Sequence, residues 1–321
     1  MASGASSMVR MLTASDVEDL VDLPGAIACL EQAFLSQARG EVTAWPPSFM
    51  RTGGGAPLML RSGGLAGLGR MGVRISTGPP NVPYALVFRS DGGALLCVMA
   101  YPFSELRLHA SVALGVDRMA KPGAARVALI GSGRNAPGLL EAVASIRAVT
   151  DVRVYSPNAA HRTAFAERAT GELGLPVTAV DAPERAVEDA SIVIVVTNAP
   201  EPALRGAWLA PDALVAAVGS RLELDDDVFL RAGRVVTTSK VQEMNIHGMR
   251  DTWPIVRLTR SGALNWDDVM EFGDVVADPA PPPGGISVFR EAQGGFSDIA
   301  LASLAYERAI ERGRGTDWDP G

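Results

Sequence analysis

The second half of the chain alternates short apolar runs with amphipathic stretches. An apolar run from Val127 to Ile130 ends at Gly131, and a helical pattern follows from Leu139 to Val149. Further apolar runs cover Asp151–Tyr155 and Ala190–Val196. Strands that alternate with helices are typical of a parallel, doubly wound sheet. The pattern therefore predicts a Rossmann-type α/β domain. Two more apolar runs extend it, at 212–218 and 234–238.

The first half of the chain has apolar runs that follow one another without long helices between them. Turn residues join the last two runs into a hairpin, so the pattern predicts an antiparallel sheet in a separate α+β domain. The runs are Pro57–Arg61, Arg70–Ser76, Tyr84–Arg89 and Ala94–Met99. Prolines and glycines over 44–56 predict a loop there.

A helical pattern from Ser297 to Arg312 closes the chain and is expected to pack back on the α+β domain. The polar residues from Gly313 onward predict a mobile tail. We therefore expect an α+β domain over 1–120 with 297–321. A dinucleotide-binding domain is expected over 121–296.

The glycine pattern after the first apolar run of the second half carries the candidate chemistry. It reads G-x-G-x-x-A, in which one glycine makes the turn, the next lets a diphosphate approach, and the small third residue permits close packing. The start of the following helix offers free N–H groups to phosphate. The predicted cofactor contacts here are Gly131, Ser132, Gly133, Arg134, Asn135 and Ala136. Later strand ends add Thr197, Asn198, Val218, Gly219 and Ser220.

The end of the second strand indicates which dinucleotide is bound. An acid there would bond the ribose of NAD, but the segment after Val154 carries no carboxylate. Ser156 and Asn158 can donate hydrogen bonds, and Arg162 can pair with a 2′-phosphate. NADP(H) is therefore favoured, with NAD(H) possible. The alternative is that Arg162 is a solvated residue in the first turn of a helix.

Composition narrows the class of protein. The 321 residues are 47% hydrophobic with a net charge of −7 and no basic stripe, which argues against nucleic-acid binding. The two isolated cysteines indicate a reducing compartment, and the three histidines share no metal-ligand spacing. Neither a signal peptide nor an apolar run long enough for a membrane span is present, so a cytoplasmic protein with no membrane contact is expected.

Several segments in their order resemble the ornithine cyclodeaminase/mu-crystallin family over nearly the whole chain. They are Met71–Asn81, Leu106–Ser111, the glycine turn, Phe165–Ala166, Glu201–Pro211, Ala217–Ser220 and Phe272–Val276. The resemblance implies NAD(P) chemistry on a small α-amino or α-imino acid in a cleft between the domains. It also implies a homodimer built on the first domain, which would bind the substrate.

The resemblance gives catalytic roles to Arg74 and Arg107, where family members carry Lys and Arg. A guanidinium can hold a substrate carboxylate through two hydrogen bonds, and Arg107 could instead bind cofactor phosphate. The alternatives are a solvated first-turn arginine for Arg107 and an outward-facing strand arginine for Arg74. Because arginine does not release a proton near neutral pH, Arg74 puts a proton-donor role at its position in question.

The loop after Gly219 departs from the family pattern. Arg221 stands where the cyclodeaminating relatives carry an acid for proton transfer. Four nearby acids could substitute, but capping of a helix that begins near Asp225 is the simpler interpretation for them. These acids are Glu223, Asp225, Asp226 and Asp227. Another departure is Phe289–Ala292, where family members carry Lys and a small residue near the nicotinamide.

Three functions remain open on the sequence. The leading one is an ornithine cyclodeaminase-like enzyme that uses NADP(H) for cyclodeamination or for reduction of a small imino or keto acid. The missing acid at Arg221 instead favours a non-catalytic, mu-crystallin-like binder of NADP(H) and a small ligand. A cofactor-free structural protein would require the glycine turn to be accidental.

Overall fold

The computed structural model describes residues 8–78, 81–219, 222–244, 253–280, 284–292 and 295–321. In chain order the elements are β1 (Val9–Leu12), α1 (Ala14–Val17), α2 (Leu23–Ala38), β2 (Val42–Ala44), β3 (Ser48–Arg51), β4 (Pro57–Leu65), β5 (Arg70–Ser76), β6 (Tyr84–Arg89), β7 (Leu95–Ala100), α3 (Ser104–Met119), β8 (Arg126–Ile130), α4 (Ala136–Ile146), β9 (Asp151–Tyr155), α5 (Ala159–Leu173), β10 (Val177–Ala179), α6 (Pro183–Val187), β11 (Ile192–Val195), β12 (Leu214–Ala217), α7 (Asp226–Leu230), β13 (Ala232–Thr237), α8 (Lys240–Met244), α9 (Pro254–Ser261), β14 (Met270–Glu271), α10 (Phe272–Ala277), β15 (Ile286–Arg290), α11 (Gly295–Glu311) and β16 (Thr316–Trp318).

The described residues divide into two compact units. The first unit comprises 8–107, 241–244 and 295–321, and the second comprises 108–240 and 253–292, each within the described ranges. The expected boundaries, 1–120 with 297–321 for substrate binding and dimerisation and 121–296 for dinucleotide binding, stay a prediction.

The first unit is built on a mixed sheet in the order β16-β1-β7-β6-β5-β4-β2, with β3 paired to β4. Only the β1–β7 pair is parallel among the described ladders of this sheet. Two sequence expectations are wrong here. The predicted 44–56 loop contains β3, and the predicted mobile tail forms β16, which pairs with β1. An ion pair of 3.1 Å between Arg10 Nε and Asp317 Oδ1 reinforces the second pairing.

The start of α11 lies directly on the sheet of the first unit. An added Cβ at Gly63 would come within 2.5 Å of the Phe296 backbone, and one at Gly295 within 2.4 Å of the Ser62 carbonyl oxygen. Glycine at both positions lets helix and strand backbones approach closely. The Phe296 ring packs edge-on against Phe34 at 5.6 Å. The first turn of α11 is thereby fixed over β4 and β5. Within the described ranges, no helix has the length and apolar character needed to span a membrane.

The second unit contains a parallel sheet in the order β10-β9-β8-β11-β12-β15-β13-β14. Every residue of β11 and of β12 is buried, as expected for strands covered on both faces. The Rossmann-type α/β fold class is confirmed, together with an α+β partner unit. The strand β15, which lies between β12 and β13, was not predicted. A buried parallel strand lacks the alternating pattern that would indicate it in the sequence.

Candidate functional site

The loop after β8 has the strand–turn–helix form that the glycine pattern predicts. Gly131 has a φ of 114°, and a Cβ there would lie 2.3 Å from the carbonyl oxygen of Val196. Glycine is required by both the conformation and the close approach. A Cβ at Gly133 would meet no atom within 4 Å, so the backbone there faces open space. Ala136 begins α4 and is fully buried, which allows the helix to pack closely on the sheet.

The N-terminus of α4 carries no side-chain cap. Asn135 occupies the N-cap position without a side-chain hydrogen bond, and its buried Oδ1 atom has no hydrogen-bond partner in the described structure. Arg134 is exposed beside it. The dipole of the helix makes such a terminus a favourable place for an anion. The open backbone at Gly133 and the unpartnered Asn135 oxygen therefore fit a diphosphate with an adjoining hydroxyl group.

The end of β9 is connected to the glycine turn by a hydroxyl pair. Ser156 Oγ lies 2.8 Å from Ser132 Oγ. Arg162 Nη1 donates to the carbonyl oxygen of Ser156 at 3.0 Å, and the guanidinium lies over the Tyr155 ring at 6.0 Å. Arg162 is half-buried rather than fully solvated, because the backbone after β9 holds its guanidinium. Asn158 is the N-cap of α5, with its Oδ1 accepting from the His161 N–H.

A buried carboxylate lies at the carboxyl ends of β11, β12 and β15. Glu223 Oε1 accepts from the Gly219 N–H at 2.9 Å, and Oε2 accepts from the Thr197 N–H at 3.5 Å. Glu223 Oε1 also pairs with Arg290 Nη1 at 3.2 Å. Helix capping by Glu223 is therefore wrong as an interpretation, whereas Asp225 does cap α7 by accepting from the Val228 N–H.

The remaining predicted cofactor residues lie around the same strand ends. Asn198 is exposed after β11, and Val218 is buried with its N–H bonded to the Val195 carbonyl oxygen at 3.0 Å. Thr197 Oγ1 accepts from the Ala199 N–H at 3.2 Å. Ser220 and Arg221 lie outside the described residues. Cofactor contact at any of these positions stays a prediction.

The first unit brings Arg74 of β5 and Arg107 of α3 to one carboxylate. Arg74 Nε lies 3.1 Å from Asp298 Oδ2, and Arg107 Nε lies 3.0 Å from Asp298 Oδ1. The three residues are 7%, 4% and 1% exposed. The solvated alternatives for the two arginines are therefore wrong, and their catalytic role stays a prediction. Close pairing of this kind offsets the desolvation cost that burial imposes on the three charges.

Two further polar groups order this cluster. Tyr101 donates its hydroxyl hydrogen to Asp298 Oδ1 at 3.1 Å, and Arg74 Nη1 donates to Ser104 Oγ at 2.9 Å. The Arg74 guanidinium also lies 6.0 Å from the centre of the Tyr101 ring. Burial, and then the Asp298 charge, raise the pKa of Tyr101 well above its ordinary value, so the phenol stays a hydrogen-bond donor.

The described residues thus contain a diphosphate-type turn in one unit and a pair of buried arginines in the other. A model of the ornithine cyclodeaminase/mu-crystallin family matches residues 8–313. The chain belongs to the ornithine cyclodeaminase/mu-crystallin family.

Known members of the family match this chain over most or nearly all of its length. The Δ1-pyrroline-2-carboxylate reductase of Bacillus cereus is 26% identical over 266 residues, which are 78% of this chain and 80% of the relative. The iminosuccinate reductase of Paracoccus denitrificans, solved with NAD⁺, has a TM-score of 0.87 at 23% identity and covers 97% and 99% of the two chains. The Δ1-pyrroline-2-carboxylate reductase of Thermococcus litoralis, solved with NADH and L-proline, has a TM-score of 0.83 at 24% identity and covers 96% and 99%. Both structures share the fold.

The partners of Arg74 and Arg107 in this family member were not predicted from the sequence. Asp298 stands between Phe296 and Ile299 on a part of α11 that is buried all round. A lone acid in such a segment is a signal for a buried ion pair, because an unpaired buried charge is costly. Tyr101 follows the apolar strand β7 and gave no comparable signal.

Proposed function

We propose that this protein is an NAD(P)-dependent enzyme that acts on a small α-amino or α-imino acid. The reaction is either reduction of an imino or keto acid or cyclodeamination. The observation that carries the proposal is the turn after β8, where Gly131 adopts its positive φ and Gly133 exposes backbone to open space. Membership of a family whose relatives include imine reductases supports it.

The residues around this turn can hold the dinucleotide. The backbone N–H of Gly133 and the positive end of the α4 dipole would bind the diphosphate, and Asn135 Oδ1 could accept a hydrogen bond from a ribose hydroxyl. When bound, the nicotinamide supplies or accepts a hydride. The chain's part is to fix the position and orientation of the cofactor.

The end of β9 favours NADP(H) over NAD(H). Ser156 stands where an acid would repel a 2′-phosphate, and Arg162 is held beside it by the Ser156 carbonyl oxygen. NAD(H) remains possible, since the solved relatives named above carry NADH and NAD⁺. We expect R162A to weaken NADPH binding about tenfold, as for a lost charge-assisted contact, and NADH binding little. An equal loss for both cofactors, measured by calorimetry, would reject the 2′-phosphate assignment.

Arg74 and Arg107 are the residues that we assign to the substrate. Their guanidinium groups share Asp298, and arginine is well suited to planar, two-point recognition of a carboxylate. Because arginine is a poor proton donor in general, the proton needed for imine or amine chemistry would come from another group or from water. The expected substrate is a small anionic amino or imino acid.

Turnover can be tested with a panel of small imino, keto and amino acids. Wild-type protein is mixed with NADPH or NADH and Δ1-pyrroline-2-carboxylate, iminosuccinate or 2-keto acids with ammonia, and nicotinamide absorbance is followed. The reverse direction is tested with NADP⁺ or NAD⁺ and proline, alanine or ornithine, and ammonia release is measured because cyclodeamination regenerates its cofactor. The enzyme proposal would be rejected if no combination gave a change in nicotinamide absorbance or a release of ammonia.

A non-catalytic, mu-crystallin-like binder is the second candidate. It is favoured by Arg221, which replaces the acid of the cyclodeaminating relatives, and by Glu223, whose carboxylate is engaged by Gly219 and Arg290. Tight binding of NADPH without turnover of any substrate in the panel would establish this function instead.

We further propose a homodimer built on the sheet of the first unit. A groove of about 610 Å³ runs over strands β4–β6 and is lined by Trp45, Met71 and Phe88 among others. Trp45 is 63% exposed, and large exposed apolar residues on one face indicate an interaction surface. Sedimentation equilibrium of the wild type and of M71E tests this, because a charge in the groove should shift the protein toward monomer.

A further inference from the structure

Glu223 connects three neighbouring strand ends of the parallel sheet. It is fully buried, and Arg290, its ion-pair partner at 3.2 Å, is 2% exposed. Thr197 follows β11, Gly219 follows β12, and Arg290 is the last residue of β15. These three strands are adjacent in the sheet. The Glu223 side chain therefore accepts hydrogen bonds from the backbone after β11 and after β12, and it pairs with the arginine that ends β15.

The geometry at Gly219 leaves no room for a side chain between this residue, the Thr197 backbone and the Glu223 carboxylate. A Cβ at Gly219 would lie 2.1 Å from the Thr197 carbonyl oxygen and 2.2 Å from Glu223 Oε2. The two loops and the carboxylate are thus in direct contact. A buried acid costs several kcal/mol unless it is well paired, and the partners that pair Glu223 are two loop N–H groups and Arg290.

The contact continues to the glycine turn. Gly131 packs against the Val196 carbonyl oxygen, one residue before Thr197. The loops after β8, β11 and β12 and the end of β15 consequently form one row at the carboxyl edge of the sheet. In open α/β sheets this edge receives the ligand, with a nucleoside on each side of the strand that carries the glycine turn.

We propose that Glu223 and Arg290 are positioning residues for the nicotinamide half of the dinucleotide. The inference rests on the proposed NAD(P) site. The adenosine half is assigned to the β9 side of β8, where Ser156 and Arg162 lie. The loops that Glu223 holds lie on the other side of β8, after β11 and β12. Loss of the pair should let these loops shift, while the β9 side keeps its own hydrogen bonds.

The test compares the whole cofactor with its adenosine half. Dissociation constants for NADPH, and for adenosine 2′,5′-bisphosphate, which is its adenosine half, are measured by calorimetry on wild type, E223Q and R290M. We expect NADPH to bind about tenfold more weakly in both variants and the half-cofactor to bind within twofold of wild type, since about one hydrogen bond to a charged group is lost at each loop. R290K keeps the charge and should recover most of the NADPH affinity.

E271Q is the matched control. Glu271 Oε1 also accepts a backbone N–H in the second unit, from Lys240 at 2.9 Å, but it lies on β14 at the far edge of the sheet. This variant should bind both ligands as wild type does. Thermal unfolding identifies any variant that does not fold. If E223Q does not fold, the comparison is made with R290M alone.

Each result separates this inference from the proposed function. If the wild type binds neither NADPH nor the half-cofactor, the proposed cofactor site is wrong and the inference is overturned with it. If the wild type binds both but E223Q and R290M lose affinity for both equally, or for neither, the NAD(P) site stands and the positioning role is overturned. Selective loss of NADPH affinity supports it.

Discussion

Asp298 in the first unit and Glu223 in the second are both buried carboxylates at a candidate site, and they hold different parts of the chain. Asp298 pairs with two arginine side chains and accepts from a tyrosine hydroxyl. Glu223 accepts from two backbone N–H groups and pairs with one arginine. Asp298 therefore orients charged groups, whereas Glu223 fixes the path of two loops.

This difference has an energetic consequence. Removal of the Asp298 charge leaves two buried guanidinium groups without their shared carboxylate. Uncompensated buried charges of this kind strongly destabilise the folded state. Removal of the Glu223 charge takes away one ion pair and loosens backbone that other sheet hydrogen bonds still hold. We expect stability to depend more on the first carboxylate and loop placement more on the second.

The largest expected effect is that of D298N on stability. We expect the free energy of unfolding to fall by about 3 to 5 kcal/mol, as when one partner of a buried ion pair is removed. Urea denaturation followed by circular dichroism measures this. The control is E307Q on the same helix, because Glu307 is about half exposed and its 3.5 Å pair with Arg70 should contribute little. Equal losses in the two variants would contradict the central role of Asp298.

The next effect contrasts two glycines of the second unit. G219A places a Cβ against the Thr197 backbone, and we expect it to cost about 1 to 3 kcal/mol of stability, as for overpacked sites. G133A meets open space and should leave stability unchanged while it weakens NADPH binding, since its methyl group would occupy the diphosphate position. Unfolding curves and calorimetry on both variants measure these quantities. A stability loss in G133A that matches G219A would show that Gly133 is structural.

The smallest effect is that of Y101F. Loss of the hydrogen bond to the Asp298 carboxylate should cost about 1.5 kcal/mol near neutral pH. Burial raises the pKa of Tyr101, whereas a tyrosine in the unfolded chain releases its proton near pH 10. The tyrosine's contribution is therefore complete below about pH 10 and is lost as the pH rises toward the folded pKa.

Denaturation curves of Y101F at pH 7, 9 and 10.5 check this sign. The stability of the variant should fall less than that of the wild type between pH 9 and 10.5. Y84F is the matched control, since Tyr84 is 57% exposed on β6 and should not change the pH dependence. If the wild type and Y101F lose the same stability over this interval, Tyr101 is not the group that titrates.

Local patterns were enough to predict the glycine turn. The positive φ at Gly131 and the presence of a helix after it depend on a few consecutive residues, although α4 begins at Ala136 and not at the predicted Leu139. The wrong expectations lie where distant segments pair. β3 forms on β4 within a segment rich in proline and glycine, and β16 forms on β1 some 300 residues away in sequence. Propensity does not report such partners.

The sequence by itself determined the family, the α/β fold class and the turn that fits a dinucleotide, because these depend on short-range periodicity and on residues with special backbone freedom. Only the tertiary structure decided that Arg74 and Arg107 are buried and share Asp298, and that Glu223 holds loops instead of capping α7. A charged residue's environment is set by strands and helices far away in the chain. Its role therefore follows from packing, which the local pattern does not contain.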